Sequence, residues 1–129
     1  MRLLLDTHAL FWWLYFPEFL PAKVSGILSD PDVRVFASAV SAYEMSYKHH
    51  RGCWPEVEPL VGAFEEVVTG EGFDLLPLSA THAIRAGAYS PEHRDPFDRM
   101  LAAQAVLEGL TLVSKDGAMR EMGAEVVWR

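Results

Sequence analysis

The chain has a single cysteine, Cys53, in 129 residues. No internal disulfide can form, so the fold has to be held by an apolar core, and the composition fits a reducing cytoplasm. Long apolar runs are also missing. The longest near the N-terminus, Ala9 to Phe16, ends at Pro17 and falls far short of the ~20 residues that cross a bilayer. Asp6 and His8 interrupt the leucine-rich start and no small-residue cleavage site follows, so a soluble, mature chain without membrane association is expected. Positive charge is scarce: 11 Lys and Arg stand against 18 Asp and Glu, for a net charge of −7. That balance excludes a protein that coats nucleic acid by charge alone. Handling a polyanion would require a local basic patch or bound cations. Repeats, low-complexity tracts and linkers are absent as well, which leaves one domain over residues 1–129.

Half of the residues are hydrophobic, enough for a full core. Short apolar runs alternate with helical patterns. Strands are expected at Arg2–Leu5, Val33–Ala37, Phe73–Pro77, Leu110–Val113 and Glu125–Val127. Helices are expected at Ala9–Leu14, Pro21–Ser29, Ser41–His50, Pro55–Thr69, Ala80–Ala88, Pro96–Glu108 and Asp116–Met122, with Gly109 closing the sixth as a C-cap. Such alternation implies an α/β sandwich around a mainly parallel sheet. Ligand sites in such folds gather at the carboxyl ends of the strands.

The acids follow that geography. Asp6 directly follows the first strand. Glu44 sits in the helix after the second. Asp95 and Asp98 open the Pro96 helix, and Asp116 follows the fourth strand. The separations are long: 38 residues from Asp6 to Glu44, 54 more to Asp98, 18 more to Asp116. Each acid has an ordinary alternative. Asp6 and Asp116 suit helix caps, Ser41-Ala42-Tyr43-Glu44 fits a capping box, and Asp95-Pro96-Phe97-Asp98 fits a cap with proline at N1. Capping alone predicts no convergence, whereas a metal site requires it. Carboxylates crowded on one rim repel unless a cation joins them. A hard divalent ion, Mg²⁺ or Mn²⁺, takes such oxygen ligands and supports phosphodiester hydrolysis. Thr7 and Ser114 add hydroxyls beside the acids. Arg94, Arg99 and Lys115 neighbour them as candidate RNA contacts, although Arg99 equally fits a pairing with an acid. Lys48, His49, His50 and Arg51 cluster at a helix end, suiting either the dipole or an RNA backbone.

Four strings, "LLLDTHALFWWL", "SAVSAYEMSYK", "HRDPFDRMLAAQA" and "LTLVSKD", resemble the PIN-domain family, and within it the VapC-like toxin ribonucleases of toxin–antitoxin pairs. The resemblance runs from Arg2 to about Asp116. It implies a three-layer α/β/α sandwich and a pocket in which Asp6, Glu44, Asp98 and Asp116 hold Mg²⁺ or Mn²⁺. Asp98 matches the family's third acid, directly before "RMLAAQA", which leaves Asp95 as the cap or a supporting residue. It also implies a metal-activated water attacking an RNA phosphodiester in line, a cognate antitoxin and a homodimer. Two alternatives are an RNA-processing nuclease of the same fold that is not a toxin, and a non-catalytic metal- or partner-binding domain. A haloacid dehalogenase-like phosphatase would place an acid at position 8, where His8 stands. The His and Cys spacing matches no structural zinc site. His8 is expected to pack or hydrogen-bond. The segment "ALFWWLYFPEFL" is aromatic on all sides, so Trp12, Trp13, Tyr15 and Phe16 are candidates for a partner interface.

Overall fold

The computed structural model describes residues 1–129. Leu3, Leu4 and Leu5 are all fully buried. A strand reaches that state only when both of its faces are covered, so the first strand, β1 (Arg2–Leu5), has to lie inside a sheet. It does. β1 pairs in parallel with β2 (Arg34–Ser38) on one side and β4 (Thr111–Val113) on the other. β3 (Asp74–Leu76) and β5 (Val126–Val127) form the edges, giving the all-parallel order β3-β2-β1-β4-β5. Strand order therefore reverses between β1 and β4, and the crevice beyond their carboxyl ends is where this topology places ligands.

The alternation of β1 divides the core in two. Leu3 and Leu5 pack with Ala9, Leu10 and Phe11 of α1 (Thr7–Tyr15), Val24 and Leu28 of α2 (Ala22–Leu28), Met45 of α3 (Ala39–His50), and Leu60 and Val68 of α4 (Glu58–Gly70). Leu4 faces the other way. It joins Phe97, Leu101, Ala102 and Ala105 of α6 (Pro96–Glu108) and Met119 and Met122 of a 3₁₀ turn, Gly117–Met122. With α5 (Ala80–Ala88) packed against α6, the expected three-layer α/β/α sandwich is present.

The expected bounds of α5 and α6 are matched residue for residue. In α6, Asp95 caps the N-terminus, Pro96 follows at N1, and Gly109 takes φ 67° at the C-cap, a left-handed conformation that costs glycine little. Two local expectations are corrected. Helix α3 begins at Ala39, not Ser41, because Ser38 Oγ accepts from Val40 N. Ser41 and Glu44 therefore form no capping box, and Glu44 lies one turn deeper than expected. The single helix expected over Pro55–Thr69 is a 3₁₀ turn, Pro55–Val57, followed by α4, itself kinked at Ala63. Pro59 has no N–H for the Pro55 carbonyl and its ring clashes with that carbonyl, so an α-helix cannot run through.

Candidate functional site

Asp6 leaves β1 and Asp116 leaves β4, the two strands flanking the reversal in order. Asp6 N donates to Val113 O at 3.0 Å, which fastens the two strand ends together. Glu44 reaches the same place from the second turn of α3 and Asp98 from the first turn of α6. Asp6, Glu44, Asp98 and Asp116 line one cleft of about 290 Å³, with Asp95, Thr7, His8, Trp12, Lys48 and Lys115 completing its wall.

Capping and convergence coexist, because a carboxylate has two oxygens. Asp6 accepts from Ala9 N at 2.8 Å and Asp116 from Ala118 N at 2.9 Å, each through Oδ1. Their Oδ2 atoms carry no cap bond. Asp95 Oδ1 accepts from both Phe97 N and Asp98 N, at 2.8 and 3.2 Å. Asp98 caps nothing, and it is the acid most exposed to the charge of the others. Burial raises its pKa to about 7, assisted by repulsion from Asp95, Asp116, Asp6 and Glu44. Burial also raises Asp6, against hydrogen bonds from the Ser114 side chain and Ala9 N and attraction to His8.

Glu44 is only 4% exposed. Its one cation partner is Lys48, whose Nζ lies 2.5 Å from Oε2 in the favourable Glu-to-Lys i,i+4 order. Thr7, buried, shares a 2.9 Å hydroxyl contact with Ser41, which ties α1 to α3 behind the acids. Ser114, also buried, accepts from Asp116 N at 3.0 Å. Both hydroxyls thus hold the acid-bearing segments in place.

The basic candidates divide. Lys115 lines the cleft, and Arg94 lines an adjoining hollow that shares Asp95, Asp98 and Asp116. Arg99 is a correction, both as an RNA contact and as a partner of an acid. Its guanidinium donates to five carbonyls, those of Ala86, Gly87, Tyr89, Ser90 and His93, at 2.6 to 3.2 Å. It is turned away from the acids because these carbonyls, at the end of α5 and in the following loop, need a donor fork. The aromatic candidates divide as well. Trp12 packs on Trp128 and Phe19, and Trp13 Nε1 donates to Glu71, so both are half-buried. Tyr15 and Phe16 are exposed, together with Phe19 at 59%.

Along the sequence Lys48 belongs to a basic cluster at a helix end, and His8 reads as a packing or hydrogen-bonding residue. The i,i+4 spacing of Glu44 and Lys48 was the available signal for the first. His8 does stack, on Trp54, with ring centroids 4.7 Å apart, but it also lines the cleft and stays exposed. Its partner lies 46 positions away, beyond any local pattern.

The donor set fits a hard divalent cation: the carboxylates of Asp6, Glu44, Asp98 and Asp116 line one cleft, Asp98 caps nothing, and burial raises the pKa of both Asp6 and Asp98. Comparison with known proteins bears on the family and the fold. Ribonuclease VapC22 of Mycobacterium tuberculosis is 25% identical over 118 residues, covering 91% of this chain and 88% of that one. The fold matches VapBC2 from Rickettsia felis, solved bound to a DNA fragment from their promoter, with a TM-score of 0.70, 14% identity and full coverage of both chains. It also matches VapBC-1 from nontypeable Haemophilus influenzae, with a TM-score of 0.66, 15% identity and coverage of 98% and 97%. The PIN domain model matches residues 3–125, and the chain belongs to the PIN domain family.

Proposed function

We propose that this protein is a divalent-metal-dependent endoribonuclease, the toxin of a toxin–antitoxin pair. One observation carries the reading: Asp6, Glu44, Asp98 and Asp116, far apart in sequence, share one cleft at the reversal of strand order, with the Asp98 carboxyl pushed up to about 7. The likeness to Ribonuclease VapC22 supports hydrolysis of RNA, and the VapBC neighbours support an antitoxin partner.

In this reading Asp6, Asp98 and Asp116 would hold Mg²⁺ or Mn²⁺, with Glu44 binding the ion or orienting a water. Bound there, the cation would lower the pKa of a water and neutralise the approaching phosphate. The protein's own groups do the rest. The caps of α1, α6 and the Gly117–Met122 turn fix Asp6, Asp95 and Asp116. Asp98, with its pKa raised to about 7, is partly protonated near neutral pH and would give up that proton on holding a divalent cation. Lys115 on the cleft and Arg94 on the adjoining hollow would receive the RNA backbone. No nucleophilic side chain is required. The exposed rings of Tyr15, Phe16 and Phe19 offer apolar surface to an antitoxin segment. A second copy of the chain is the other partner in this reading, and the site of action is the cytoplasm.

The test is cleavage of a labelled RNA pool with Mg²⁺, Mn²⁺ or EDTA, by wild type, Asp98→Asn and Asp95→Asn. Metal-dependent cutting that Asp98→Asn abolishes and Asp95→Asn largely keeps is the expected result. No cutting in either metal, or full activity of Asp98→Asn, overturns it. Growth arrest on expression, relieved by the neighbouring gene, separates a toxin from a processing nuclease.

A further inference from the structure

Five acids and two lysines line the cleft. One of those lysines is built in. Lys48 spends one of its three N–H donors on Glu44 and has no other protein acceptor. Its ammonium lies between two rings, 6.0 Å from the centroid of Trp54 and 5.7 Å from that of Phe97. The aromatic walls and the Glu44 anchor keep it at the cleft while leaving donors for a ligand. Trp54 does a second thing. One face of the His8 ring is stacked on it at an interplanar angle of 18°, while His8 as a whole is exposed and lines the same cleft. Trp54 is in turn held by Phe11 of the core, ring centroids 5.2 Å apart. His8 also meets Trp12 at a tilt of 53°, centroids 5.7 Å apart, and stays exposed; its ring is backed by Trp54, the ring that the Lys48 ammonium also approaches.

A fixed cation beside a backed aromatic face is what one unstacked nucleotide needs: a donor for its phosphate and a platform for its base. We infer that Lys48 and the His8–Trp54 stack form a nucleotide subsite of the cleft, Lys48 donating to a phosphate oxygen and His8 stacking on the neighbouring base of single-stranded RNA. The inference rests on the ribonuclease reading and names how that site takes its substrate. Duplex RNA does not fit it, because the faces of its bases are taken up by stacking within the helix.

The test is fluorescence anisotropy with a short fluorescein-labelled single-stranded RNA, in Ca²⁺ in place of Mg²⁺, across a salt series. Lys48→Met should weaken binding and make the slope of log K against log salt shallower by about 0.7, the value of one lost phosphate contact on a single strand. Lys48→Arg should restore the slope. His8→Ala should weaken binding about tenfold with the slope unchanged, and should lose nothing on a strand abasic at every position. His8 is exposed, so that variant folds. Thermal unfolding of Lys48→Met checks the other, and Lys48→Arg keeps the charge beside Glu44. If wild type cuts RNA in Mg²⁺ while Lys48→Met and His8→Ala bind with wild-type affinity and slope, the subsite is overturned and the nuclease reading stands. If wild type neither binds nor cuts, both fall together.

Discussion

Replacing Asp98 by asparagine should make the metal-free protein more stable, although it removes one of the acids proposed to hold the metal. The carboxyl of Asp98 has its pKa raised from 3.8 to about 7. Between those values the folded protein holds a proton that the unfolded chain has released. Stability therefore falls as pH rises from about 4 to about 7 and levels off above. Taken at face value the shift is worth about 4 kcal/mol, but Asp98 is partly exposed, so solvent screening brings this to about 2 kcal/mol. Asparagine forgoes the favourable charge at the N-terminus of α6, about 0.5 kcal/mol. The net gain at pH 8 is about 1.5 kcal/mol. At about 0.27 kcal/mol per degree for a chain of this length, the midpoint of thermal unfolding rises by about 6 °C. The assay is unfolding of both proteins in EDTA at pH 4 and pH 8. Most of the difference should be gone at pH 4, close to the ordinary carboxylate value, where Asp98 keeps its proton in the folded protein and regains much of it in the unfolded chain. Saturating Mg²⁺ should then raise the wild-type midpoint and leave Asp98→Asn nearly unmoved. A variant no more stable than wild type at pH 8, or equally stabilised at both pH values, refutes the argument from burial and repulsion.

Other substitutions separate the groups that hold the site from those that perform its chemistry. Asp95→Ala should cost about 1 kcal/mol by unfolding, since Oδ1 caps two N–H groups, whereas Asp95→Asn keeps the cap and should be near neutral. Arg99→Ala should cost about 3 kcal/mol in urea unfolding, with Arg99→Lys only partly restoring it, because lysine cannot reproduce a five-bond fork. Phe16→Asp and Phe19→Asp should weaken capture of the antitoxin about tenfold while moving stability by less than about 0.5 kcal/mol, both side chains being exposed. Unchanged capture would place the antitoxin on another surface.

The architecture and the residue types of the site are legible along the chain. Alternating short apolar runs and helical patterns require a parallel sheet covered on both faces, and Leu3 to Leu5 are the densest statement of that demand. Proline at 96, an acid on each side of it and glycine at 109 bound α6 through local backbone chemistry, so its ends were legible without any tertiary knowledge. Local chemistry misplaced the start of α3 for an equally physical reason: Ser38 and Ser41 are both competent caps, and only the end of β2 selects the first. Sequence could place acids at strand ends but could not say that Asp6 and Asp116 flank the reversal of strand order, because pairing of β1 with β4 joins residues more than a hundred positions apart. The same limit hid the role of Arg99, whose five acceptors become neighbours only when α5 packs on α6. It hid the His8–Trp54 stack and the raised pKa of Asp98 as well. Propensity and capping act within a few residues and can be read along the chain. Charge repulsion, ring stacking and shared hydrogen bonds depend on distance in space, and folding alone sets those distances.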